Sequence, residues 1–321
     1  MYLKTAIIVA WLGASYGLLV FGHFGWVTCL VLTISVGLAV AAVGFDIQHD
    51  ANHGSYSRSP SINRALGFTL DLVGGSSYVW SFKHNVFHHT YTNIAGADAD
   101  LAAGPMLRFS PAQSRWRVHR LQPIYVWALY AMLPVKWEFF DDFRDLVKGR
   151  IAGQPFPRPS ALGLTSLIGG RLFFFGWALV LPMFFHPIGW VLLSFALASG
   201  MLGLTLAITF QLAHCMAEAE FPALPADGVM HGDWAEHQVR TTVNFARNNP
   251  LLTWYLGGLN FQIEHHLFPK ICHVHYPALS KIVEKTCADF GLPYHAHPTM
   301  RAALASHLRL LGRLGKADPV V

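Results

Sequence analysis

The chain has 321 residues, 53% of them hydrophobic and 13% charged, with a formal net charge of +5 and a pI near 9.1. A mean hydropathy of +0.36 is too high for a soluble enzyme of this length, so the composition points to a membrane. No basic run carries interleaved aromatics, which excludes nucleic acid as the partner behind the positive charge.

Apolar runs cover residues 5–22 and 25–45, then 162–185 and 188–214. Each approaches the length of about 20 residues needed to cross roughly 30 Å of hydrocarbon. The expected fold class is an all-α integral membrane protein, one domain over residues 1–321, with four transmembrane helices in two hairpins. The first run leads straight into the second without a small-residue cleavage site, which argues against a cleaved signal peptide. The short links inside the hairpins hold no Lys or Arg, whereas residues 46–120 carry Arg58, Arg64, Lys83, Arg108, Arg115, Arg117 and Arg120. The positive-inside rule therefore places residues 46–161 and 215–321, with both termini, in the cytoplasm as a helical cap beside the membrane lipids.

Residues 121–135 form a shorter apolar run. A crossing there would put the second and third histidine clusters on opposite faces, so this run is expected to lie in the interface. Residues 67–80, with Asp71 and the pair Gly74-Gly75, read as a partly buried or re-entrant segment. Residues 149–160 and 221–233 read as flexible links. Cys29, Cys215, Cys272 and Cys287 show no paired spacing and fit a reducing compartment.

Three histidine clusters interrupt the apolar background: His49-Asp50-Ala51-Asn52-His53, His84-Asn85-Val86-Phe87-His88-His89 and Gln262-Ile263-Glu264-His265-His266. On a continuing helix His49 and His53 lie about 40° apart and face one ion. His84 and His88 repeat that spacing, while His89, rotated by about 100°, points toward a neighbouring ion. The adjacent pair His265-His266 serves two centres in the same way, and His214, near the end of the fourth apolar run, stands where a closing ligand is needed. Together these eight offer about four neutral imidazoles to each of two ions. Asp50, Asn85, Gln262 and Glu264, with Asp98 and Asp100, have the chemistry to orient imidazole N–H groups from outside, although solvent exposure or helix capping explains each equally well. No catalytic side chain beyond the ligands stands out. Zinc in such a site would activate water and iron would activate dioxygen, and the spacing leaves both open.

HDANH at 49–53, HNVFHH at 84–89 and QIEHH at 262–266 stand in the order of the three histidine boxes of the membrane fatty-acid desaturases, and the chain resembles that family from about residue 5 to residue 291. Gln262 replaces the first histidine found in many relatives. That substitution, with His88-His89-Thr90-Tyr91-Thr92-Asn93 and Gly257-Gly258-Leu259-Asn260-Phe261-Gln262, resembles the front-end and bacterial linoleoyl-CoA-desaturase-like branch. The resemblance implies two irons on His49, His53, His84, His88, His89, His265 and His266, with His214 matching an additional ligand of related acyl-CoA desaturases. It implies a dioxygen-dependent enzyme that draws two external electrons to insert a cis double bond into a fatty acyl chain carried by CoA, a carrier protein or a phospholipid. Many front-end relatives carry a fused haem domain marked by His-Pro-Gly-Gly, which is absent from this sequence, so the implied donor is a separate ferredoxin or small cytochrome with its reductase.

An acyl chain needs a narrow apolar tunnel, for which Trp80, Phe82, Trp254 and Tyr255 are candidates; each also reads as an ordinary interface aromatic. Three alternatives stay open: a related hydroxylase or acetylenase using the same ligands, a zinc-dependent membrane lipid hydrolase, and a catalytically silent membrane protein holding metal for stability. Of the remaining histidines, His231 and His237 read as solvated, His273 and His275 as support for the third box, and His295, His297 and His307 as surface residues.

Overall fold

A computed structural model describes residues 1–101, 104–224, 230 and 232–316. Its main helices are α1 (Tyr2–Phe21), α2 (Trp26–Asn52), α3 (Gln122–Ala131), α4 (Ala161–Met183), α5 (Ile188–His214), α6 (Trp234–Thr241), α7 (Gln262–Leu267), α8 (Tyr276–Asp289) and α9 (Met300–Gly315). Among the described residues four of these, α1, α2, α4 and α5, are long and apolar enough to cross a membrane. Their 20 to 27 residues measure about 30–40 Å at 1.5 Å per residue. The helix ends fall within a few residues of the apolar runs, except that α2 continues seven residues past residue 45 to Asn52 and so carries the first histidine cluster.

α3 has 10 residues, too few to cross, and Met132 ends it before the short helix Leu133–Lys136. Residues 67–80 contain two one-turn helices, Thr69–Leu72 and Ser77–Trp80, the second capped by the Ser76 hydroxyl. Of the two segments expected to be loose, one differs from that reading. Residues 149–160 include a β-hairpin, β1 (Arg150–Ile151) with β2 (Gln154–Pro155), in which Ala152 and Gly153 take left-handed backbone angles and Ile151 and Phe156 are buried. Burial of those two side chains supplies the driving force that the Gly- and Pro-rich sequence hides. Of residues 221–233, 225–229 and His231 lie outside the described residues.

The chain divides into two compact units. The first comprises Met1–Ser81, Ala128–Gly149 and Pro157–Ala207 and contains most of the long apolar helices. Its helices approach closely at small residues: a Cβ on Gly37 of α2 would stand 2.5 Å from the Ala198 carbonyl of α5. Its outer faces are apolar, as at Leu3, Trp26, Leu162 and Phe184. Two buried charges of this unit are paired, Lys4 with Asp46 and Arg171 with Asp142.

The second unit comprises Phe82–Trp127, Arg150–Phe156 and Ile208–Val321. A parallel pair, β3 (Asn244–Phe245) with β4 (Ala296–His297), links the chain before and after the third histidine cluster. The buried Arg108 guanidinium donates to the carbonyls of Gln113, Pro111 and Leu314, fastening the loop before α3 to α9. His307, expected at the surface, is 1% exposed, and its Nδ1–H donates to the Cys215 carbonyl at 2.6 Å. The amphipathic α9 turns that residue inward, which its polar identity conceals.

Candidate metal centre

The histidine-bearing helices depart from α geometry beside the clusters. Val43–Gln48 forms a π-helical stretch immediately before His49, and Ser81–His88 is π-helical throughout. The angular spacings expected for an ideal α-helix therefore do not hold for the second cluster. A π turn re-aims side chains by accommodating an extra residue, and such turns recur at functional sites.

In the first unit, His49 and His53 are buried with ring centroids 4.7 Å apart, and Trp80 packs edge-on against both at 5.6 and 5.4 Å. Asp50 is buried, its carboxylate 3.8 Å from Nδ1 of His49.

In the second unit, six imidazoles converge. His88, His214 and His266 form one triangle, with ring centroids 4.7, 5.0 and 4.8 Å apart. His89, His265 and His266 form a second, with centroids 4.8, 4.4 and 5.4 Å apart. The triangles share His266, and His84 lies 5.2 Å from His88 and 4.9 Å from His89. In each triangle the ligand nitrogens fall within 4.8 Å of one another.

Outer partners fix which nitrogen faces inward. His88 Nδ1–H donates to both Asp98 oxygens at 3.1 and 3.2 Å, and His266 Nδ1–H donates to Gln238 Oε1 at 2.8 Å. His214 Nδ1–H points at the Thr241 carbonyl at 3.4 Å, and His265 Nδ1 pairs with the Tyr276 hydroxyl at 3.3 Å. The Nε2 atoms of His88 and His214 then approach to 3.2 Å. Two nitrogens about 2.0–2.1 Å from one ion stand roughly 2.9 Å apart at a right angle and 3.4 Å apart at the tetrahedral angle, so this separation fits a shared ion. His266 Nε2 is buried with no hydrogen-bond partner, as an imidazole reserved for a metal would be. The donor set thus fits metal ions.

The electrostatics differ from ring to ring. Burial, reinforced by the neighbouring imidazoles, pushes His266 well below its ordinary pKa and keeps it neutral. For His88 burial acts downward, but Asp98 and Asp100 outweigh it and raise the group to about 9. Burial likewise opposes ionisation of Asp98, yet His88 and the backbone N–H groups of Asp100 and Asn93 hold it below the usual carboxylate range.

Of the expected outer partners, Glu264 is fully buried but gives its carboxylate to Asn244 and Tyr294, bracing α7 against β3. Gln262 is buried at the first position of α7, and Asn85 is half-buried in the π-helical stretch. Among the tunnel candidates, Trp80 is the one placed against histidine rings; Phe82 packs edge-on against Phe156, Trp254 is exposed and Tyr255 half-buried. The sequence reading misses Gln238, Thr92, Asn93 and Tyr276. Gln238 accepts from Thr92 Oγ1 at 3.0 Å and donates to the His89 carbonyl at 3.1 Å, tying the second cluster to the third. Asn93 adopts φ 59° and donates to the carbonyls of His214, Glu220 and Thr241. The turn entering α7 needs Gly258, φ 71°, where a Cβ would meet that of His273 at 2.8 Å.

Residues 24–298 match the model of the fatty acid desaturase family. The chain is 41% identical over 320 residues to the sn-1 linoleoyl-lipid 6-desaturase of Synechocystis sp., covering 99% of this chain and 89% of that protein. It is 39% identical to the enzyme of the same name from Arthrospira platensis, covering 98% and 85%, and 38% identical to an acyl-lipid (8-3)-desaturase of Physcomitrium patens, covering 99% and 67%. With the three histidine boxes inside the matched region, the chain belongs to the fatty acid desaturase family, in its front-end branch, and is an oxidoreductase of fatty acyl chains.

Proposed function

We propose that the chain is a diiron acyl-lipid desaturase that introduces a cis double bond on the carboxyl side of the acyl chain. The observation that carries the diiron reading is the pair of histidine triangles meeting at His266. His84, His88, His89, His214, His265 and His266 are the proposed ligands from that cluster, and His49 and His53 are carried as ligands by the histidine-box resemblance. When bound, two irons supply dioxygen activation with two external electrons, so that two hydrogens leave neighbouring methylenes and water forms.

The chain's own residues do the rest. Asp98, Gln238, Tyr276 and the Thr241 carbonyl hold the Nδ1 side of four imidazoles, leaving Nε2 as the donor. Burial of the rings to 8% exposure or less at His88, His89, His214, His265 and His266 keeps bulk water from the reacting carbon. Trp80, beside His49 and His53, is the proposed wall of the acyl tunnel, with Phe82, Trp254 and Tyr255 as further candidates.

The acyl-lipid substrate is proposed by analogy with the relatives named above, and the 6-desaturase names of two of them support a new bond toward the carboxyl end. The four long helices are proposed to cross as two hairpins, with the metal centre and both termini cytoplasmic, and electrons to come from a ferredoxin or a small cytochrome with its reductase. The test is expression in a host supplying such donors, followed by mass spectrometry of lipid acyl chains. A new cis-unsaturated acyl product, dependent on dioxygen and lost in His266→Ala, is expected; a hydroxylated product, or turnover without dioxygen, would overturn the reading.

A further inference from the structure

Within the first unit a cavity runs among α1, α2, α4 and α5, walled by apolar side chains such as Val40, Phe174, Trp177 and Phe195. Along α5 its lining extends from Trp190 to Leu202, about 18 Å at 1.5 Å per residue. One lipid tail fills half of a core roughly 30 Å thick, so this length suits a single chain.

The cavity is not wholly apolar. Glu138 lines it, is 3% exposed, and has its Oε2 buried without a hydrogen-bond partner. Gly74 takes φ 97° beside it, where a Cβ would stand 3.0 Å from Glu138 Oε1 and 2.9 Å from the Phe174 ring. Gly203 of α5 packs on the Tyr130 and Ala131 carbonyls and on Pro134, one turn before Glu138, which puts the carboxyl near the Leu202 end. Burial raises the Glu138 carboxyl to about 7 against the pull of the Arg171 charge, so near neutral pH it both accepts and donates. A buried oxygen with no partner is unfavourable by about 1–3 kcal/mol until something satisfies it.

We propose that this cavity binds a single-chain lipid bearing a hydroxyl group, the hydroxyl on Glu138 and the chain lying along α5. A phosphate head would meet a carboxyl of partial negative charge, and an ammonium head would meet the Arg171 charge that already acts on Glu138; a hydroxyl needs one acceptor and no counter-ion.

The test uses the purified full chain in phosphatidylcholine nanodiscs and a long-chain alcohol carrying a photoreactive diazirine near its methyl end. Saturable labelling of residues 174–182 or 190–202 is expected, with unlabelled hexadecanol competing about tenfold better than hexadecane, the effect of one added hydrogen bond. Glu138→Leu should reduce that preference to about twofold or less while hydrocarbon binding persists. Ala178→Phe, which fills the cavity, should abolish the labelling at unchanged melting temperature; Ala198→Phe, beside the close contact with Gly37, is the second plug if that variant does not fold. Non-saturable labelling spread over the exposed Leu193 and Leu197, or an alcohol preference that survives Glu138→Leu, would overturn the proposal.

Discussion

The His266 ring is oriented by Gln238, which is fully buried and bonded on both ends of its amide. Gln238→Leu should weaken metal binding about 10- to 100-fold, and Gln238→Glu, which keeps an acceptor for Nδ1–H, should restore most of it; cobalt titration followed by visible absorption reads both. Equal affinity for all three proteins would show that Gln238 only fills space. His88→Ala should remove both iron and product, read by metal content and acyl analysis. His307 offers a separate test of the fold. Burial holds it down to about 4 although its bond to the Cys215 carbonyl acts upward, so the unfolded chain binds the extra proton first. Its contribution, on the order of 3 kcal/mol, is complete above about pH 6.5 and is lost as pH falls toward 4. Thermal unfolding in detergent should weaken over that window, and His307→Gln should flatten the dependence. The histidine clusters are legible because imidazole is a scarce side chain in most proteins and stands out where it repeats. Gln238 was not, since its residue type is common and it meets Thr92 from 146 residues away.

The four long helices are legible because lipid-length apolar runs have few other uses, and α3, with 10 residues, is not among the helices long enough to cross. The π-helical stretches were not legible: the ladder is set by how each buried turn packs, and the spacing of four between His84 and His88 reads the same on either helix. Helix contact at glycine gives a direct test. A Cβ on Gly203 would stand 2.5 Å from the Tyr130 carbonyl, whereas one on Gly169 of α4 meets nothing within 4 Å. Gly203→Ala should therefore destabilise by about 1–3 kcal/mol, while Gly169→Ala should be neutral or stabilise by up to about 1 kcal/mol. Denaturant unfolding of the two variants in the same detergent separates them, and equal losses would contradict the packing described for α5.

At the scale of the whole molecule, composition led to a membrane protein and the three boxes to the family, both of which the fold and the relatives support. What the sequence left open was the metal, because imidazoles accept zinc and iron alike. The paired triangles at His266 could hold two neighbouring ions, each with nitrogen donors, which is the basis of the diiron proposal. Metal analysis of the purified chain, by mass spectrometry against protein concentration, addresses this most directly. Two irons per chain are expected, falling toward zero in His266→Ala; a single ion per chain, or zinc in place of iron, would contradict the account.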